Sequence, residues 1–386
     1  MNNYVPQMIV KTPSPWHALA TQTSAAQATR RVVTRNTQAH QKFGAIVKRL
    51  FKTGKALVAA AAFTFGSVAV AADYTLTISS WAPPGHGINA QMWPNLINMI
   101  EEATDGKVTA EIKYGLAPPP AQMDLVLDGA ADMTIVFHGY QAGRFVATKL
   151  IELPGYEGNA EAASVAYWRV HEELLAEADE HRGVKLIGLH THGPAQLHSD
   201  KPISTLNEIE GMKVRVPGGV GSDVVAALGG TGIKVPAPKV YETLASKAAD
   251  GVVMPFESRG GFKLTEVAKN VYEVPGGLYR GSFAYLMSEE AFDGLPEELQ
   301  KALEDKVFGE PVSRMAGKVW DDIDSKGREV TMSTDDNAIN EASTDDLASY
   351  QPIADSIIEK VLAEVSEKGI DGEAARAMII KEMSGN

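Results

Sequence analysis

The chain has 386 residues, 44 % hydrophobic and 22 % charged, which is enough for two domains with cores of their own. It has no cysteine, so disulfides, thiolate metal sites, a catalytic thiol and a lipid-anchoring cysteine are all excluded. Residues 1–72 hold nine of the 36 Lys and Arg and no acid, so the remainder sets 27 basic against 49 acidic residues, a net of −22 that disfavours a nucleic-acid partner.

Residues 1–46 are rich in Thr, Gln, Ala and Ser without apolar periodicity. They read as a disordered leader, or as the product of a start site placed too early. Residues 47–71 read as a signal peptide: Lys48, Arg49, Lys52 and Lys55 are basic, an Ala-rich apolar stretch follows, and Ala69-Val70-Ala71 is a small-x-small cleavage signal. The apolar run is short and weak for a bilayer span, which needs about 20 apolar residues. The expectation is a periplasmic protein exported by a cleaved signal.

From residue 74 the pattern alternates between periods of two and of 3.6 residues. Strands are expected at 74–79, 108–114, 133–137, 184–190, 213–216, 233–235, 252–254 and 283–287. Helices are expected at 92–103, 119–127, 161–178, 221–228 and 240–249. A loop is expected between 190 and 213. The last third reads as one long helix over 296–325, opened by Glu297-Glu298 at its positive end, and an amphipathic helix over 345–368. This alternation predicts an α/β class with largely parallel sheets.

Catalytic signatures are sparse. There is no Gly-rich phosphate loop, GxSxG elbow, HExxH or EF-hand loop. The expectation is a protein that is not an enzyme, with no catalytic residues, no cofactor and no metal. His190-x-His192 and His198 read as hydrogen-bonded histidines rather than ligands. The segment 206–217, Leu-Asn-Glu-Ile-Glu-Gly-Met-Lys-Val-Arg-Val-Pro, is more telling. Arg215 sits near the carboxyl end of a strand that Pro217-Gly218-Gly219 turns, where α/β folds bind ligands. Its planar fork matches a carboxylate, although an ion-paired arginine fits the same chemistry.

That segment resembles the central motif of the solute-binding proteins of tripartite ATP-independent periplasmic (TRAP) transporters, the DctP type. The resemblance runs roughly from 74 to 308. It includes Gly193-Pro-Ala-Gln-Leu-His198, Lys201-Pro-Ile, Val240-Tyr-Glu-Thr-Leu, Ala249-Asp-Gly-Val-Val-Met-Pro255 and Leu286-Met-Ser-Glu-Glu-Ala-Phe292. It implies a two-lobed periplasmic-binding-protein-like fold with hinge strands and a long connecting helix. Lobe I would comprise 73–192 plus 281–320, and lobe II 193–280 plus 321–386. It implies TRAP membrane subunits as partners and Arg215 as the carboxylate clamp. The pocket would be lined by Trp81, His138, Tyr140, Gly218, Met254, Phe256 and Glu257. Trp81 also fits a lobe-edge anchor, and Met254 and Phe256 fit ordinary core.

Two departures narrow the ligand. The 192–196 loop lacks the second arginine of relatives that bind strongly polar acids, and Met254 stands where an amide is common. Both favour a monocarboxylate with an apolar or aromatic part over a dicarboxylate. Arg144 and Arg280 are the candidates for a second charge site, and Glu257 reads as an acceptor in preference to a bridging-cation ligand. The competing classes are an exported lyase or hydrolase acting on an organic acid, a ligand sensor, and an ATP-driven transporter's receptor.

Overall fold

The computed structural model describes residues 72–385. The leader and the signal segment lie outside the described residues. Two sheets form. The first has the order β2-β1-β3-β10-β4, from β1 (Tyr74–Ser80), β2 (Val108–Tyr114), β3 (Met133–Phe137), β4 (Val184–Thr191) and β10 (Ser282–Ser288). The second has the order β11-β9-β5-β8-β6-β7, from β5 (Gln196–Ser199), β6 (Lys213–Val216), β7 (Thr231–Lys234), β8 (Gly251–Met254), β9 (Asn270–Glu273) and β11 (Ala338–Glu341).

Each sheet is parallel except at one inserted strand. In the first, β10 runs antiparallel between β3 and β4. In the second, β5 runs antiparallel between β8 and β9. These two strands adjoin the links by which the chain crosses between sheets, residues 192–195 outward and 274–281 back. The central strands are buried along their whole length, β3 as Met-Thr-Ile-Val-Phe and β8 as Gly-Val-Val-Met. Strands covered on both faces read as continuous apolar runs of this kind.

The long helix departs from expectation. Residues 296–325 are not one helix but parts of two, Glu297–Lys306 and Glu310–Ser333. Gly309 separates them at φ 86°, and its amide donates to Ile187 of β4 at 2.7 Å. Pro311, which lacks an N–H, then fits the first turn of the second helix. That 24-residue helix packs on β4 and the Ala160–Val170 helix, runs past the Ser258–Gly261 turn, and leads into β11. The resemblance's long connecting helix is this later one. The loop expected between 190 and 213 contains β5, and the helix at 161–178 is regular only over Ala160–Val170 before a wider turn at His171–Leu175.

Candidate functional site

Strand and turn ends of both sheets converge on one narrow cleft. From the second sheet, β6 delivers Arg215, which pairs in register with Ile233 and Val252 and is only 1 % exposed. Its Nε donates to the Val235 carbonyl at 2.9 Å, while its buried Nη2 has no partner among the described residues. A buried donor left unpaired costs roughly 1–3 kcal/mol, so that nitrogen marks where an acceptor belongs.

The other walls are largely aromatic: Trp81, Phe137, Tyr140, Tyr279, Phe283 and Trp320. Tyr140 stands edge-on to Phe137 and Trp81, at 4.7 and 6.3 Å between centroids. Its hydroxyl oxygen accepts the Ala237 amide at 2.8 Å, which leaves its proton free to donate. Burial raises the phenols of Tyr140 and Tyr279 above their ordinary range, so both remain protonated donors.

Met254 ends β8 and turns into the cleft with Pro255 and Glu257. The Glu257 carboxylate lies 2.9 Å from Nε2 of His86. His86 Nδ1 accepts the Ile88 amide at 3.2 Å, so in the neutral ring Nε2 carries the proton and donates to Glu257. Three hydrogen bonds thus join segments of the first sheet to segments of the second. They are Tyr140 with Ala237, His86 with Glu257, and Glu152 with the Val220 amide at 3.0 Å. The last sets a carboxylate against the N-terminus of the Gly219–Ala227 helix, where the positive end of the dipole favours it.

Of the eight residues singled out from sequence, Trp81, Tyr140, Arg215, Met254 and Glu257 line the cleft. Three do not. His138 lies 3.1 Å from the Ser282 hydroxyl and 3.0 Å from His181, and lines a neighbouring cavity. Gly218 abuts the Gly139 carbonyl and lines a neighbouring cavity, of which Tyr140 and Pro217 form the shared wall. Phe256 packs beneath the Arg328 guanidinium, 5.1 Å from its ring centre. Arg280 is buried on the carbonyls of Gly158 and Tyr156, and Arg144 reaches those of Glu180 and Arg182. Neither lines the cleft, which leaves Arg215 as its one guanidinium. Sequence reasoning missed His86, Phe137, His192, Ala237, Phe262, Tyr279, Phe283 and Trp320 as lining residues.

The buried histidines make stability depend on pH. Burial holds His171 and His192 down at about 4, and His181, His190 and His198 at about 3. Each then binds fewer protons folded than unfolded between that value and about 6.5, so the stability it contributes is lost as pH falls below about 6.5. Burial lowers His138 in the same sense, while Asp324, raised by burial to about 7, acts oppositely between about 4 and 7, as do Glu152 and Asp321, which burial also raises: three carboxyls against six histidines. The thermal midpoint is expected to fall by roughly 5 °C or more from pH 7 to pH 5. A level midpoint over that interval would contradict neutral burial of these rings.

Two sheets linked by crossing segments around a cleft that holds one half-paired arginine have the architecture of a two-lobed solute-binding protein. Residues 78–364 match the family described as bacterial extracellular solute-binding protein, family 7 (DctP), and the chain belongs to that family. Its members are the substrate-binding proteins of transporters, not enzymes. The chain is similar to a TRAP periplasmic solute-binding protein from Bordetella bronchiseptica with bound (R)- and (S)-mandelate. That likeness is at 35 % identity and a TM-score of 0.78, covering 81 % of this chain and 99 % of that one. It is also similar to a marine metagenome TRAP solute-binding protein specific for aromatic acid ligands, in complex with metahydroxyphenylacetate. There the identity is 26 % and the TM-score 0.75, over 81 % of this chain and 99 % of that one. A curated relative, the outer membrane transporter protein TsaT of Comamonas testosteroni, is 26 % identical over 79 % of this chain and 90 % of its own length. Among the described residues no helix is long and apolar enough to cross a membrane.

Proposed function

We propose that this chain is the periplasmic receptor of a TRAP transporter and that it captures a small aromatic monocarboxylate. It is exported by cleavage of the 47–71 signal. Its lobes, 73–192 plus 281–320 and 193–280 plus 321–386, close on the ligand and present it to the membrane subunits. The observation that carries this reading is the buried, unpartnered Nη2 of Arg215 in a cleft whose other walls are mainly aromatic. The ligand carboxylate takes that nitrogen together with the hydroxyls of Tyr140 and Tyr279. Its ring lies against Trp81, Phe283 and Trp320. The aromatic acids bound by two similar proteins support the same ligand class.

A second carboxylate would meet Met254, Phe262 and the Glu257 carboxylate with no cation to pair it. In a thermal-shift series on the purified protein, mandelate and benzoate at a hundred times Kd are expected to raise the midpoint by roughly 5 °C or more. Succinate is expected to leave it in place. A shift with succinate and none with either aromatic acid would overturn the reading.

A further inference from the structure

We infer that the cleft selects 2-hydroxy acids, the ligand hydroxyl donating to Nε2 of His192. The inference rests on the carboxylate reading above and names the ligand's second polar group.

It follows from accounting for each polar atom of the lining. Three of the donors are already committed to protein acceptors: the indole of Trp81 to the Ile135 carbonyl at 2.9 Å, the indole of Trp320 to His190 at 2.9 Å, and His86 to Glu257. The donors left over, Arg215 Nη2 and the two phenols, are those assigned above to the ligand carboxylate. What remains on the walls only accepts. His192 Nδ1 stands 2.6 Å from the Gly193 carbonyl, a contact that requires a proton on that nitrogen. It outweighs the 3.4 Å approach of the Gly281 amide to the same atom. The neutral ring carries one such proton, so Nε2 is a bare acceptor, and it has no hydrogen bond among the described residues. Burial keeps the ring unprotonated at neutral pH. The other acceptor is the Glu257 carboxylate.

The place of this acceptor fixes where the ligand hydroxyl must be. The His192 ring is 5.5 Å from that of Tyr279 and 5.9 Å from that of Phe283, with Trp320 at 6.1 Å. It therefore stands between Tyr279, one of the donors assigned to the carboxylate, and the rings assigned to the ligand's aromatic part, so the matching hydroxyl is placed on the carbon that joins the two. A 2-keto acid would set a lone pair against Nε2. An acid with only hydrogen there would leave Nε2 buried and unpaired, and sites built for a hydroxyl discriminate strongly against analogues lacking it.

The test is calorimetric titration of the purified protein at pH 7.5 with (R)- and (S)-mandelate, phenylacetate and benzoylformate, which share the ring and the carboxylate. The better mandelate enantiomer is expected to bind at least about tenfold tighter than phenylacetate or benzoylformate. In His192→Phe, which keeps an aromatic ring but no acceptor, that preference is expected to shrink to within about threefold while phenylacetate still binds. In His192→Gln, whose side-chain carbonyl accepts, part of the preference is expected to return. Equal binding of all the acids by the natural protein overturns this inference and leaves the carboxylate reading standing. An undiminished preference in His192→Phe overturns the assignment to His192. Failure of every acid to bind the natural protein overturns both readings.

Discussion

Replacing Arg215 with alanine is expected to weaken binding of an aromatic carboxylate by at least about a hundredfold while the protein stays folded. A hydrogen bond to a charged group contributes roughly 1.5–3 kcal/mol, and a buried carboxylate deprived of its cation loses more, about 3–5 kcal/mol. At 1.4 kcal/mol per tenfold, the second figure is about two to three and a half decades of affinity. No other guanidinium can compensate, because neither Arg144 nor Arg280 lines the cleft. Stability changes less. The variant loses a bond to the Val235 carbonyl and leaves a small cavity, but it also removes a buried charge with one nitrogen unpaired. Arg215→Lys restores charge without the fork, and its affinity is expected to fall between the two. Titration with mandelate gives the affinities, and melting curves without ligand check the fold. Binding by the alanine variant within tenfold of the natural protein would remove Arg215 from the clamp.

The α/β alternation and most strands were legible because their apolar residues are closely spaced in sequence. So was Arg215, marked by a strand end and the Pro217-Gly218-Gly219 turn that follows it. The candidates that fell outside the cleft each sit one residue from a residue that lines it: His138 after Phe137, Gly218 after Pro217, and Phe256 between Pro255 and Glu257. All three lie in the turns just past a strand end, where local turn geometry sets which neighbour faces the cleft. A motif locates a strand end, but a shift of one position exchanges cleft for core. Trp320 carries no local signal, because a tryptophan on an amphipathic helix reads as packing. Tyr279 and Phe283 meet it only once the chain has crossed back between the sheets. Strand β5, Gln196-Leu-His-Ser, is four residues long with no β-branched member, which is why it read as loop. The split of the long helix had visible markers in Gly309 and Pro311, outweighed by the apolar periodicity running through them.

Gly218→Ala is expected to hold the two lobes apart and to lower ligand affinity by roughly tenfold or more, even though no side chain of the cleft is changed. Gly218 has φ 118° and ψ −165°, a region essentially confined to glycine, and an alanine there costs about 1–3 kcal/mol. The added Cβ would stand 2.0 Å from the Gly139 carbonyl oxygen, far inside the 3.4 Å at which ordinary contact begins. Gly139 belongs to the turn after β3 of the first sheet and Gly218 to the turn after β6 of the second, so the clash is relieved by separating the halves. Separation stretches the nearby hydrogen bonds from Tyr140 to Ala237 and from Glu152 to Val220. A ligand drives closure only by binding the closed form better, so any penalty on that form is subtracted from its affinity. Small-angle scattering is expected to show the natural protein contracting on binding and the variant contracting only at roughly tenfold or more higher mandelate. A variant that contracts and binds like the natural protein would show that closure does not need the Gly139–Gly218 contact.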